Sequence, residues 1–133
     1  MESATHIAQQ LIASINAHDV DAVAVLLTSD HRFIDSLGSV TVGREALREG
    51  WRQYFRMVPD YRIDIEQTLA DGPRVVLLGV ACGTYTKDGT LHPENAWSTP
   101  TSLRALIRGT LVAEWQVYAD NEPIRRCMQR SRA

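Results

Sequence analysis

Residues 61–86 read YRIDIEQTLADGPRVVLLGVACGTYT, and this stretch decides the fold class. Tyr61, Ile63 and Ile65 alternate with Arg62, Asp64 and Glu66, the period of a strand with one wet face. Asp71-Gly72 then marks a hairpin turn. The run from Val75 to Thr86 is apolar on both parities, Val75 and Leu77 against Val76, Leu78, Val80 and Cys82, as expected of a central strand covered on both sides.

Working toward the N-terminus, Pro59 closes a segment of helical period. Leu47, Trp51, Tyr54, Phe55 and Val58 fall on one side of it and Arg44, Arg48, Arg52 and Arg56 on another, with Gly43 at its start. Before it come a short strand, His31 to Asp35, and a turn centred on Gly38. Two further helices precede these. Ile7, Leu11, Ile12 and Ile15 recur at helical spacing in the first, which stops near Asn16-Ala17-His18; Asp19 is placed to cap the second, which turns Val23, Leu26 and Leu27 inward.

Toward the C-terminus, Lys87-Asp88-Gly89 is a turn, a polar connection runs through His92, Pro93 and Glu94, and two strands cover about 101–107 and 111–119, joined at Arg108-Gly109. The order α, α, short β, α and four consecutive strands predicts a single α+β domain over 1–133. A curved antiparallel sheet would pack against three N-terminal helices as a cone, with 1–5 and 126–133 as flexible tails. An opening in such a cone is a common place for a small-molecule pocket.

Composition narrows the function classes. The chain of 133 residues is 44% hydrophobic and 23% charged, which is that of an ordinary globular protein. Its 14 basic and 16 acidic residues leave a formal charge of −2, and the only basic cluster is Arg125, Arg126, Arg130 and Arg132, read as a solvated tail, so no nucleic-acid partner is expected. Cys82 and Cys127 lie far apart, without metal-ligand spacing or a histidine cluster, so neither a disulfide framework nor a metal site is expected. A reducing, cytoplasmic setting fits. The N-terminus lacks the pattern of a secretory signal, no apolar run approaches the roughly 20 residues of a membrane span, and no cofactor motif is present.

The stretches Asn16-Ala17-His18-Asp19-Val20-Asp21, Phe33-Ile34-Asp35-Ser36-Leu37-Gly38 and Gly43-Arg44-Glu45-Ala46-Leu47 resemble the ketosteroid isomerase and SnoaL-like branch of the nuclear-transport-factor-two-like cone fold. The end, Trp115 to Pro123, resembles SnoaL-like sequences as well. The resemblance runs from about Ile7 to Glu122. It implies that Asp35 stands where ketosteroid isomerases keep the carboxylate that moves a proton beside a carbonyl. The tyrosine and protonated aspartic acid that hold the enolate oxygen in those enzymes fall here on Leu11 and Leu103. Losing one such donor typically costs about 2.7–4 kcal/mol, which argues against steroid isomerisation by the family's route. Polyketide cyclases and epoxide hydrolases of the fold place a base or water-orienting acid on the last strand. Gln116 stands there, and Gln cannot accept a proton; Asp120, on the same parity, is the nearest substitute.

The last strand splits into Leu111, Ala113, Trp115, Val117 and Ala119 on one parity and Val112, Glu114, Gln116, Tyr118 and Asp120 on the other. Hydropathy alone buries the first set, whereas the resemblance turns the second set into the cone and implies a homodimer covering the outer sheet face. Under the resemblance, Asp35 is the base, Tyr118 a hydrogen-bond donor and Asp120 an assisting acid. Leu11, Ile15, His31, Phe33, Trp51, Tyr54, Phe55, Trp97, Leu103, Glu114 and Gln116 form the pocket around a small lipophilic molecule.

Each residue also has a plain structural reading. Asp35 can cap its own turn, Asp120 can start a helix before Pro123, and Tyr118 can pack its ring with the hydroxyl in water. Trp51, Tyr54 and Phe55 can be core. His31 shares parity with Phe33 and Asp35, and Trp97 falls in the connection before the penultimate strand, as a rim over the mouth or an anchor. The function expected is cofactor-free proton transfer on a carbonyl-type substrate. The alternatives are a non-catalytic ligand-binding or dimeric assembly module, and an epoxide-hydrolase-like enzyme.

Overall fold

The computed structural model describes residues 3–131. Ser3 caps helix α1 (Ala4–Asn16) by accepting a hydrogen bond from the His6 N–H, and Ile7, Ala8, Leu11, Ile12 and Ile15 are buried along one side. Asp19 does the same for α2 (Val20–Val25) through the Ala22 N–H. Strand β1 (Leu27–Ile34) and the short β2 (Val40–Val42) form a hairpin, and α3 (Arg44–Met57) returns across the sheet. Then come β3 (Arg62–Asp71), β4 (Arg74–Thr84), a single 3-10 turn (Pro93–Asn95), β5 (Ala96–Arg108), β6 (Leu111–Ala119) and α4 (Glu122–Arg130).

The six strands form one sheet in the order β2-β1-β6-β5-β4-β3. Strands β3 to β6 pair antiparallel in sequence, as expected, but β1 lies parallel to β6, with Arg32 opposite Glu114 and Ile34 opposite Gln116. A parallel neighbour requires a long crossover. Everything from β2 to β5 supplies it here. Helix α1 lies across β3, β4, β5 and β6, and α3 covers β1 and β2. One close-packed core joins Ile7, Leu11 and Ile15 to Val75, Leu77, Leu103 and Val112.

Expectations change at the start of β5 and in the two segments expected as tails. The strand begins at Ala96, so Trp97 is paired opposite Gly83 and buried, not part of a mobile rim. Residues 122–130 form α4, where a tail from 126 was expected, because Ile124 and Cys127, three apart, reach the core together while the arginines stay outside. Residues 4 and 5 likewise belong to α1. The outermost parts of the expected tails, 1–2 and 132–133, lie outside the described residues.

The curvature of the sheet has a local cause. The β3–β4 register shifts between Ile65 and Gln67, so one extra residue is inserted in β3 and bends it. The bent strand brings the Asp64 carbonyl over Gly79 of β4, where only a hydrogen on Cα fits.

Candidate functional site

The concave face of the sheet and the inner side of α3 enclose a cavity of about 310 Å³. Its walls are largely apolar: Phe33 from β1, Leu47, Trp51 and Tyr54 from α3, Tyr61 and Ile63 at the start of β3, Trp97 and Leu103 from β5, and Trp115 and Val117 from β6. Asp35, Ser36, Thr41, Thr99, Thr101 and Asn121 supply polar atoms.

Asp35 follows the last residue of β1 and opens the turn to β2. Its Oδ1 accepts the backbone N–H groups of Leu37 and Ser39, both at 2.9 Å, while the Asp35 N–H donates to the Ser39 carbonyl at 3.0 Å. Gly38, at φ 86°, completes the turn in a region that favours glycine. The carboxylate thus has one oxygen fixed by the chain and no protein hydrogen bond on Oδ2 among the described residues. Asn121 donates to Ser36 Oγ at 2.7 Å, tying the β6–α4 junction to this turn.

Two phenols line the same cavity. Tyr54 and Tyr61 meet edge to face, centroids 4.9 Å apart and planes at 90°. Neither hydroxyl has a hydrogen bond within the protein among the described residues. Burial pushes both phenols well above the usual tyrosine range, so each remains a protonated donor at any ordinary pH.

The turn after α1 positions Tyr61. Asn16 exchanges two hydrogen bonds with Ile63, donating to its carbonyl at 2.9 Å and accepting its N–H at 2.8 Å, which completes the edge of β3 with a side-chain amide. His18, at the left-handed φ of 55°, reaches the Tyr61 carbonyl with Nε2 at 2.7 Å and stacks on Phe55 at 4.2 Å. The motif Asn16 to Asp19 therefore anchors the strand that carries Tyr61 and Ile63 into the cavity.

The structure brings Asp35, Phe33, Trp51, Tyr54, Trp97 and Leu103 to one cavity and removes other expected residues from it. On β6 the inward set is Trp115, Val117 and Ala119. The polar set faces outward because a concave apolar cavity favours the apolar parity. There Glu114 pairs with Arg32 at 2.9 Å and Arg104 at 3.7 Å, Gln116 accepts from Arg104 at 2.5 Å, and Tyr118, 46% exposed, lies under the Arg104 guanidinium. Asp120 accepts the Glu122 N–H at 2.9 Å just ahead of α4, but the N-cap of that helix is Asn121, so Asp120 stands one residue before the cap position expected of it.

Leu11 and Ile15 are buried in the α1 core and do not line the cavity. Phe55 is turned to His18. His31 is 1% exposed and donates from Nδ1 to the Val112 carbonyl at 2.7 Å; its shared parity with Asp35 does not bring them together, because four strand residues span about 13 Å. Burial lowers its imidazole below the usual histidine range despite that hydrogen bond. Tyr61, Trp115 and Asn121 were not expected in the site. The parity signal that could have found Trp115 and Tyr61 was present in both strands.

No group of three or more His, Cys, Asp or Glu side chains among the described residues could hold a metal ion, and no described helix is long and apolar enough to cross a membrane. What the fold and site define is an α+β cone protein with an enclosed small-molecule-sized cavity. The chain belongs to the SnoaL-like domain family, whose sequence description matches residues 8–117. It is similar in structure to a candidate SnoaL-like polyketide cyclase from Shewanella denitrificans OS-217, at TM-score 0.81 and 16% identity over 96% of this chain and 97% of that one. IdmH, a candidate polyketide cyclase from Streptomyces antibioticus, is similar at TM-score 0.79 and 16% identity, over 96% and 99% of the two chains. A hypothetical protein of ketosteroid isomerase-like fold from Catenulispora acidiphila DSM 44928, in complex with trimethylamine, is similar at TM-score 0.73 and 19% identity over 84% and 83%. At these identities the likeness is one of fold. No curated protein matches the sequence.

Proposed function

We propose that this protein is a cofactor-free enzyme of SnoaL-like type that moves a proton on a small, largely apolar carbonyl compound held in the cone cavity. The observation that carries this reading is the pairing of a carboxylate oxygen without a protein partner and two protonated, unbonded phenols around one apolar cavity. Asp35 Oδ2 would take a proton from the carbon beside the carbonyl. The electron pair left behind moves onto the carbonyl oxygen, where a Tyr54 or Tyr61 hydroxyl stabilises it by donation; Asp35 then returns the proton to the same or a conjugated carbon. Tyr54 and Tyr61 thus take the role first expected of Tyr118. The hydrolytic reading loses its residues, since Gln116 and Asp120 lie outside the cavity.

The test is exchange of the acidic α-proton for deuterium, followed by NMR, across a panel of enones, lactones and ketones. Wild type is expected to accelerate exchange in at least one. Removing the phenol that holds the oxygen, by Tyr54→Phe or Tyr61→Phe, is expected to slow it about 10²–10³-fold, whereas Tyr118→Phe stays within about twofold. Binding of these compounds with no exchange in any would favour the second reading, a carrier, which the turn-capping role of Asp35 also suits.

A structural neighbour of ketosteroid isomerase-like fold is in complex with trimethylamine, which supports small-molecule binding as the reading for this chain. We also propose that the outer sheet face pairs with a second copy. The inward turn of Trp115 and Val117 removes the original reason for a dimer. Another remains in the half-buried stripe Val76, Leu78 and Val80, beside Tyr118, on the face opposite Val75 and Leu77. Light scattering is expected to give a dimer for wild type and a monomer for Leu78→Asp; a monomeric wild type would end this proposal.

A further inference from the structure

We infer that the small carbonyl compound taken by the cavity also carries a positive charge, an alkylated ammonium group, and that the cavity binds molecules bearing that group ahead of neutral or anionic ones of the same shape. This rests on the reading of the cavity as a small-molecule site and concerns the ligand's charge. It does not depend on the proton-transfer step.

Two independent features of the lining point to it. The first is the arrangement of the rings. Trp51 and Tyr54 stand perpendicular at 6.1 Å between centroids, Tyr54 and Tyr61 perpendicular at 4.9 Å, and Phe33 and Trp51 at 72° and 6.5 Å. Rings that meet at right angles build corners of a box instead of a flat stack. Trp51 and Tyr61 are tilted by 40° and Tyr61 and Trp97 by 37°, so a guest in the cavity packs against aromatic rings set at several angles, whose faces carry the negative end of a quadrupole.

The second feature is the charge balance. Asp35 is the one formally charged side chain that lines the cavity, and no lysine, arginine or histidine does so among the described residues. Arginines of α3 and β5 are held elsewhere: Arg44 by the Leu27 carbonyl, Arg48 by Asp21 and Glu45, Arg52 by Glu49, Arg104 by Gln116 and Glu114, and Arg108 by Asp30. A half-exposed carboxylate on the wall of a mostly apolar cavity, paired with no cation of the protein, favours a guest that brings one. An anionic guest would meet like charge there. At about 310 Å³ the cavity is at the small end for ligand sites, which suits a compact ammonium head with a short tail.

The experiment is calorimetric titration of the full chain with choline, with its neutral carbon isostere 3,3-dimethylbutan-1-ol, with 3,3-dimethylbutanoate, and with cyclohexenone as an uncharged carbonyl compound. Choline is expected to bind at least about tenfold more tightly than the isostere, with no measurable binding of the carboxylate. Trp51→Leu and Asp35→Asn should each shrink the ratio between choline and the isostere, a quantity that a general loss of stability would not change. Equal or tighter binding of the isostere overturns the inference. So does binding of cyclohexenone without choline, which leaves the cavity a small-molecule site. If none of the four binds, the inference falls together with that reading.

Discussion

Replacing Asp35 by Asn is expected to reduce proton exchange at the substrate carbon by about 10²–10⁴-fold while leaving the thermal melt close to wild type. The asymmetry follows from the two carboxylate oxygens. Asn keeps an oxygen at the position of Oδ1, where it can still accept the Leu37 and Ser39 N–H groups at 2.9 Å, so the turn that joins β1 to β2 persists. The group replacing Oδ2 becomes an amide nitrogen, which donates and has no lone pair for a proton. A purely structural Asp35 would therefore survive the exchange of oxygen for nitrogen and a catalytic one would not. Unchanged exchange rates in Asp35→Asn would reduce this residue to a turn cap. Asp35→Ala should lose both roles, with a stability cost of about 1–2 kcal/mol in addition.

The largest effect on stability is expected at Gly79→Ala, with a loss above about 4 kcal/mol, a large part of the roughly 5–15 kcal/mol by which domains are stable. A Cβ built there would fall on the Asp64 carbonyl oxygen, well inside van der Waals contact, and within 2.9 Å of Ile65 Cα. Both obstacles are backbone of the bulged strand, so relief requires β3 to straighten. Gly83→Ala is a useful contrast because its Cβ would meet a methyl of the fully buried Val58 side chain and not backbone, so a local shift of one residue relieves it, and the expected loss is about 1–3 kcal/mol. Urea unfolding of the two variants measures the difference. A Gly79→Ala protein within about 1 kcal/mol of wild type would show that the bulge can flatten without cost.

The same bulge bears on the site. Tyr61 and Ile63 precede it and reach the cavity; the residues after it run along the outer sheet edge. A flattened β3 would withdraw one of the two phenols that line the cavity with Asp35, so curvature and candidate chemistry are coupled through a single close approach of two strands.

Several site residues were legible in the sequence because local rules govern them. Phe33 and Asp35 share strand parity, Trp51 and Tyr54 lie on the apolar side of α3, and all four meet at the cavity. Trp97 was misplaced because Pro100, lacking an N–H, argues against a central strand; β5 runs through it nonetheless, paired with Val80 of β4. The C-terminal helix was hidden by its arginines, since two inward residues, Ile124 and Cys127, are too few to show a period. On β6 the plain alternation was the better guide than the aligned polar positions, which the structure turns toward Arg104 and Arg32.

By itself the sequence determined the α+β class, the helix cap at Asp19, the Gly38 turn and the antiparallel order from β3 to β6, because each follows from local periodicity, capping or turn chemistry. Only the tertiary structure decided that β1 docks parallel to β6 and that Asn16 and His18 hold Tyr61 against Tyr54. The hydrogen-bonded pairs among them lie far apart in the chain, 43 positions for His18–Tyr61, 47 for Asn16–Ile63 and 82 for Arg32–Glu114. No local propensity specifies them, and they form only where burying one continuous apolar surface offsets the entropy of closing such long loops.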